Sequence, residues 1–341
     1  NDDVEIILDR TPFYAEGGGQ LPDGGKITLA NGAVVEIDDV QAPVPGLYVH
    51  RGQVISGSLE INNDVYAAID IERRLAISRA HTATHMVHKA FREALGETAT
   101  QAGSENSPGR FRFDFPATGA VPISVLNDVE SRVNALLLED WEVTAQVMSQ
   151  TEAKAMGAMA LFGEKYGDRV RVVSVPGFSQ ELCGGTHVRR TGDIGYFRIV
   201  AESAVAAGVR RIEAVTGASA EALVGETQAR LHEAAGILRT APADIGDRIG
   251  ALLEERRKLE ATIADLRRQL ATGGSSAAVE TINGIALSAR DMGETPARDL
   301  KGLAEAIGKQ MGSGVVALVS SAEGKASIVV GVSADLTGRV N

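Results

Sequence analysis

The sequence predicts an α+β protein, on three observations. Helical and strand-like periodicities are interleaved without a regular strand–helix–strand rhythm. A glycine-dense, turn-rich opening gives way near residue 61 to longer helical patterns. A heptad segment followed by a small α/β unit occupies the end of the chain. In chain order this reads as a small β-barrel, a mixed α/β domain, an α-helical coiled-coil hairpin and a small α/β terminal unit.

Residues 4–56 read as short strands parted by turns at Gly17-Gly18-Gly19, Asp23-Gly24-Gly25, Asn31-Gly32 and Pro43 to Gly46. Asn-Gly between apolar runs signals a hairpin, so a β-barrel or sandwich is expected over 1–60. Within 64–95, Ile71, Leu75, Met86, Val87, Ala90 and Leu95 recur near helical spacing, and Gly96 is a helix stop. Arg110 to Phe115 alternates strictly, which places Phe111, Phe113 and Phe115 on one face of a strand. Over 124–140, Val125, Val129, Val133, Leu136 and Leu137 form a helical stripe. Strands at 142–148, 169–175, 194–202 and 209–216, with a short helix near 151–161, complete a domain over 61–217.

The composition shifts at 218. An apolar helix at about 219–238 precedes a turn at Thr240-Ala241-Pro242. Ile245, Ile249, Leu252, Leu259, Ile263, Leu266 and Leu270 then advance by alternating steps of four and three, with Arg256 at one seam position. Glu254, Glu255, Arg256, Arg257 and Lys258 leave little apolar surface beyond the seam. That favours an antiparallel hairpin over 218–272 rather than two amphipathic helices on a globular body. Gly273-Gly274-Ser275-Ser276 reads as a linker. The unit at 277–341 has a strand at 284–290, a helix near 296–310 and strands at 314–320 and 326–333. It shows no closing element, so truncation is expected there, as it is at the abrupt strand-like opening Val4 to Leu8.

The 341 residues suit two or three domains, and a hydrophobic content of 44% is ample for cores. No apolar run approaches the ~20 residues of a membrane-spanning helix, and Asn1-Asp2-Asp3 does not open a signal peptide. No membrane association is expected. The single cysteine excludes an internal disulfide framework. A lone thiol that matters must stay reduced, which points to the cytoplasm. The net charge of −11 argues by itself against a nucleic-acid partner. A basic patch can nevertheless sit on an acidic body. The candidates are Arg73, Arg74 and Arg79, then Arg189 and Arg190, then Arg210 and Arg211; the bland alternative is solvated surface.

His81-Thr82-Ala83-Thr84-His85 sets two imidazoles four residues apart, on one helix face. Such a pair alone is weak evidence for a metal. Cys183-Gly184-Gly185-Thr186-His187 adds a thiol and an imidazole on a glycine-rich turn, where left-handed glycine angles are expected to fold both inward. Thiolate with imidazole is zinc chemistry rather than magnesium or calcium chemistry. His81, His85, Cys183 and His187 are therefore the expected ligands of one zinc ion. His88 is expected on the helix surface or behind a ligand, and His50 and His232 as structural or solvated. A zincin would need His-Glu-x-x-His, and Thr82 stands where its glutamate would be. A zinc finger closes a short loop, whereas roughly a hundred residues separate these pairs. The fold must assemble the site.

These motifs carry a family resemblance. Arg10-Thr11-Pro12-Phe13-Tyr14-Ala15-Glu16-Gly17-Gly18-Gly19-Gln20 looks like the glycine-rich opening of a proofreading module. Arg79 to His85, Gln101-Ala102-Gly103-Ser104 with Arg112 to Phe115, Gly157 to Gly167, and Glu181 to His187 follow in the matching order. The chain resembles the C-terminal part of bacterial alanyl-tRNA synthetases over nearly all its length. The heptad hairpin and terminal unit resemble that family's oligomerisation and tRNA-elbow-binding domain, so a homo-oligomer through 218–341 is implied. The departures are the absent ATP- and alanine-binding core, the absent glycine-rich end of the C-terminal domain, and Ser104-Glu105-Asn106-Ser107, where apolar residues are usual. Aminoacylation is therefore not expected from this segment.

The resemblance implies a zinc-containing editing domain that deacylates alanine tRNA mischarged with serine or glycine. The need is physical, because one methyl discriminates by only ~1–3 kcal/mol and an added hydroxyl is hard to exclude. Thr11 is implied as the contact to the serine hydroxyl, although a turn residue before Pro12 is the plain alternative. Gln101 is implied to position water or the terminal ribose, although it could be a solvated strand start. Arg73, Arg74, Arg79, Arg189 and Arg210 are candidates for gripping the single-stranded tRNA end. Rival readings are a freestanding trans-editing protein of the same superfamily, a non-catalytic zinc and RNA-binding module, and the related domain of threonyl-tRNA synthetase.

Overall fold

A computed structural model of the chain describes residues 2–160, 167–273, 279–322 and 324–340. They form two compact units, Asn1–Ala229 and Arg230–Asn341.

The first unit opens with β1 (Asp3–Ile7), β2 (Gly25–Leu29), β3 (Val34–Val44), β4 (Leu47–Ser56) and β5 (Val65–Ile69). All pair antiparallel in the order β1-β4-β3-β2-β5. The expected barrel does not form. Closure requires the two edge strands to hydrogen-bond, and here β1 and β5 remain opposite edges of an open sheet. The apolar face is instead filled from the loop after β1. Phe13 packs with Ile27, Leu29, Val35, Ile37 and Val40, with Leu8 and Ala15 beside it.

Helix α1 (Ile71–Leu95) begins at the first residue of the predicted helical pattern, and Val65–Ile69 before it pairs with β2 as a strand. Asp70 caps it by accepting from the Arg73 N–H, and Gly96 ends it at φ 100°. There follow β6 (Gly103–Ser107), β7 (Arg110–Pro116), α2 (Ile123–Glu139), β8 (Thr144–Ser149), α3 (Gln150–Ala155), β9 (Arg169–Val175), β10 (Ser179–Leu182), β11 (Phe197–Ala206), β12 (Val209–Thr216) and α4 (Ala218–Leu238). The helix expected near 151–161 ends at Ala155, and the chain from Met156 to Ala160 is not helical. Residues 161–166 of the Gly157 to Gly167 motif lie outside the described residues.

Strands β11-β12-β7-β6 form one antiparallel sheet and β10-β9-β8 another. The main core joins Phe111, Phe113 and Phe115 of β7 to Met86, Val87 and Phe91 of α1 and to Val129, Val133 and Leu136 of α2. Phe91 stacks on Phe115 at 4.8 Å between centroids. Each such side chain contributes about 1.5–3 kcal/mol on burial, so α1 is anchored where its histidines lie. Strands β6 and β10 have no apolar alternation to announce them; pairing with β7 and β9 makes them.

The second unit begins within α4, at Arg230, and contains α5 (Ile245–Gly273), β13 (Glu280–Ile282), β14 (Ile285–Asp291), α6 (Ala297–Met311), β15 (Val315–Ala322) and β16 (Lys325–Val332). The sheet order is β13-β14-β15-β16, with β14 and β15 parallel and joined through α6. Leu300, Leu303 and Ile307 of α6 pack on Val316 and Leu318. Ile249, Leu252, Leu259, Ile263 and Leu266 of the heptad seam are exposed. The Leu270 side chain and linker residues 274–276 lie outside the described residues. No helix among the described residues is long and apolar enough to cross a membrane.

Candidate metal centre

From Ala80 to His88, α1 is buried without a break. Five polar side chains fall in that stretch, and each needs a partner there. Thr82 Oγ1 donates to the Ser78 carbonyl at 2.9 Å. Thr84 Oγ1 lies 3.0 Å from the Ala80 carbonyl and 2.6 Å from Asn106 Oδ1. The outward nitrogen of each histidine is also met: His81 Nδ1 lies 2.8 Å from Gln20 Oε1, His85 Nδ1 2.5 Å from Glu181 Oε2, and His88 Nδ1 3.1 Å from Glu181 Oε1. His85 Nε2 is buried with no hydrogen-bond partner.

Those inward nitrogens meet the segment that follows β10. Cys183 Sγ lies 3.4 Å from His81 Nε2 and 3.3 Å from His187 Nε2. One donor atom from each of His81, His85, Cys183 and His187 falls within 4.8 Å of the others, a group that can hold a metal ion. The partners set the tautomers. The Glu181 carboxylate is an acceptor, so His85 directs its Nδ1–H at it and turns Nε2 inward. Thr82 spends its own proton on Ser78, so its oxygen accepts from His187 Nδ1, 3.1 Å away. All three imidazoles thus present Nε2.

The electrostatics agree. Burial opposes the Cys183 thiolate, but His81, His85 and the hydrogen bonds hold the thiol well below its ordinary value. Burial, aided by His81, lowers His187 to about 3, against the pull of Cys183. Burial also opposes charge on Glu181 and His85. Glu181 and Cys183 together outweigh it at His85, raising it to about 10, and His85 and His88 outweigh it at Glu181, lowering it to about 2.

Gly184 and Gly185 do not take the expected left-handed angles. Gly185 is required for space: a Cβ there would run into the His81 ring and stand 2.8 Å from Gln20 Oε1. Arg171 Nη1 fixes the loop from behind, donating to the Cys183 and Gly185 carbonyls at 3.0 and 2.7 Å.

Residues 170–213, which include Cys183 and His187, match the family described as threonyl and alanyl tRNA synthetase second additional domain. Residues 1–73 match the family described as tRNA synthetases class II (A). An alanine–tRNA ligase of Granulibacter bethesdensis is 52% identical over 345 residues, covering 99% of this chain and 39% of that protein. That of Gluconobacter oxydans is 52% identical over 348 residues, covering 100% and 40%. That of a Nocardioides species is 51% identical, covering 99% and 38%. The chain belongs to the alanine–tRNA ligase family. It spans about two fifths of the length of these curated relatives.

In this alanine–tRNA ligase segment, the other singled-out residues are placed as follows. Thr11 Oγ1 lies 2.7 Å from Nε2 of the buried His50, whose Nδ1 faces the Ile6 carbonyl at 2.9 Å. Burial lowers the His50 pKa, against the Ile6 bond, so the ring is neutral. Gln101 Nε2 donates to Ser104 Oγ at 3.0 Å. Arg73 donates to the Pro22 carbonyl, Arg74 to Asp23 and the Pro12 carbonyl, and Arg79 to the Asp193 carbonyl. Arg210 makes a two-pronged pair with Glu202. Arg189, two residues past His187, is exposed, and no described hydrogen bond or ion pair engages its guanidinium. His88 stands behind a ligand through Glu181, and His232 is exposed. Gln20, Glu181, Asn106 and Arg171 were not singled out from the sequence. The one available signal was that Gln20 and Glu181 border the glycine-rich motifs.

Proposed function

We propose that the cluster holds one zinc ion and that this unit hydrolyses alanine tRNA wrongly charged with serine or glycine. The observation that carries the reading is the convergence of three Nε2 atoms and a buried thiol, in a chain aligned over its length with alanine–tRNA ligases. Three imidazoles and one thiolate suit zinc in softness and number. A bound zinc ion would supply Lewis-acid polarisation of an ester carbonyl or a water.

The chain's own residues would do the rest. Thr11 Oγ1 accepts the serine hydroxyl. Gln101 positions water or the terminal ribose. Arg189, whose guanidinium is engaged by no hydrogen bond or ion pair among the described residues, holds a phosphate of the tRNA end. Arg73, Arg74, Arg79 and Arg210 already spend hydrogen bonds inside the fold and play a smaller part in that grip. We assign 1–60 to a glycine-rich module, 61–217 to the editing domain, 218–272 to a helical hairpin, and 277–341 to a unit for tRNA binding and self-association. The exposed seam of α5 supports such association. ATP-dependent attachment of alanine would belong to the longer protein.

A second reading has one observation in its favour. Four protein ligands are the mark of a closed structural zinc site, so the unit could bind RNA without catalysis. One assay separates the two. Alanine tRNA carrying labelled serine is incubated with the chain or with Cys183→Ala, and the metal content of both is measured. Serine release by the wild type alone, with alanyl ester spared by both, supports proofreading. A zinc-replete wild type that binds tRNA and releases nothing supports the structural reading.

A further inference from the structure

Gln20 sits at the end of a tight turn. Gly17 and Gln20 exchange both backbone hydrogen bonds, at 3.2 and 2.9 Å, and Gly18 and Gly19 between them have φ values of 57° and 72°. The turn is clamped from outside by Asn106 of β6. The Asn106 N–H and Nδ2 both donate to the Gly19 carbonyl, at 2.6 and 3.2 Å, and the Asn106 carbonyl accepts from the Leu21 N–H at 3.0 Å. Asn106 is fully buried, and its Oδ1 accepts from Thr84 of α1, between the two ligand histidines. Gln20 therefore has a fixed backbone on either side, and its own side chain is 1% exposed.

That side chain spans the centre. Oε1 takes the His81 Nδ1–H and the Thr186 N–H, each at 2.8 Å, and Nε2 donates to Thr186 Oγ1 at 2.9 Å. The Thr186 N–H can only donate, which fixes the amide with its oxygen toward His81. His81 belongs to α1. Thr186 lies between Cys183 and His187 on the other ligand segment. One amide thus ties together two segments that lie about a hundred residues apart in sequence.

We propose that Gln20 is the positioning residue of the metal centre. It holds His81 with Nε2 inward and pins the Cys183–His187 loop against it, and the Asn106-braced glycine turn exists to present it. The inference rests on the metal reading. Groups that orient a ligand from behind typically change metal affinity by 10–100-fold when removed.

The test uses the whole chain as wild type, Gln20→Leu and Gln20→Glu. Zinc affinity is measured by competition with a chromophoric chelator, the cobalt(II) form by its visible spectrum, and the metal-free forms by thermal unfolding. Gln20→Leu should lose about 10–100-fold in zinc affinity and show an altered cobalt spectrum, while Gln20→Glu, which keeps an acceptor oxygen for His81 and Thr186, should stay within about threefold. An unchanged affinity in Gln20→Leu overturns the proposal. So does a loss shared in full by Gln20→Glu and matched by a fall in metal-free stability, since then the residue acts by packing alone. A wild type that takes up neither zinc nor cobalt overturns the metal reading itself, and the positioning role with it.

Discussion

Glu181 Oε2 lies 2.5 Å from His85 Nδ1 while its Oε1 lies 3.1 Å from His88 Nδ1, so one buried carboxylate serves two histidines of the same helix. Its pKa is lowered to about 2 and that of His85 is raised to about 10. For a lowered carboxylate, the stabilisation is present above the unfolded value of 4.5 and is lost as pH falls toward about 2. For a raised histidine, it is present below 6.5 and is lost as pH rises through about 10. The metal-free chain should therefore lose stability at both ends. Glu181→Gln should flatten both limbs, as read from denaturant midpoints across pH. Two unchanged limbs would show that the pair contributes nothing to the fold.

Gly185 and Gly184 are adjacent and should respond differently. A Cβ at Gly185 meets the His81 ring, whereas a Cβ at Gly184 meets nothing within 4 Å. Gly185→Ala should weaken zinc binding by at least about tenfold, comparable to the loss of a ligand-orienting group. Gly184→Ala should bind as the wild type does. Chelator competition on both variants decides it, and equal affinities would refute the steric account.

Thr11 is oriented by His50. The Ile6 carbonyl can only accept, so His50 carries its proton on Nδ1 and Nε2 accepts the Thr11 hydroxyl proton. The Phe13 N–H occupies one Thr11 lone pair at 3.1 Å. The remaining lone pair can accept a hydroxyl proton, which serine has and glycine lacks. Thr11→Val should slow seryl-ester hydrolysis by about tenfold, the worth of roughly one hydrogen bond, and leave glycyl-ester hydrolysis near wild type. An unchanged seryl-to-glycyl ratio would remove Thr11 from substrate recognition.

Arg189, unpaired among the described residues, and Arg210, paired with Glu202, should behave differently. Arg189→Ala should weaken binding of the tRNA acceptor end and reduce its salt slope by about 0.7, the value for one phosphate contact on a single strand. Its thermal stability should be unchanged. Arg210→Ala breaks the pair with Glu202 and should lower stability while the salt slope stays put. Titrations at several salt concentrations, with melting curves, test both.

The phenylalanine alternation of β7, the helical pattern that stops at Gly96 and the strand–helix–strand order at the end of the chain are written in the local sequence. They were legible because burial on one face imposes a period of two on strands and about 3.6 on helices. The four candidate ligands were legible for a different reason. Cysteine and histidine are scarce here, with one and six in the chain, so two short motifs containing both stand out. Val65–Ile69, just ahead of α1, was not marked as a strand by any alternation, and pairing with β2 makes it one.

By itself the sequence determined which donor atoms are available for a metal, and which helix carries two of them at a one-turn interval. The tertiary structure alone decided that the opening sheet stays open, that Gly185 matters for space rather than for backbone angle, and that Gln20, Thr82 and Glu181 hold the outward nitrogens. Those partners are common polar residues, each distant in sequence from the ligand it holds. A hydrogen bond depends on position to within a few tenths of an ångström, and no periodicity along the chain encodes a meeting of two segments in space.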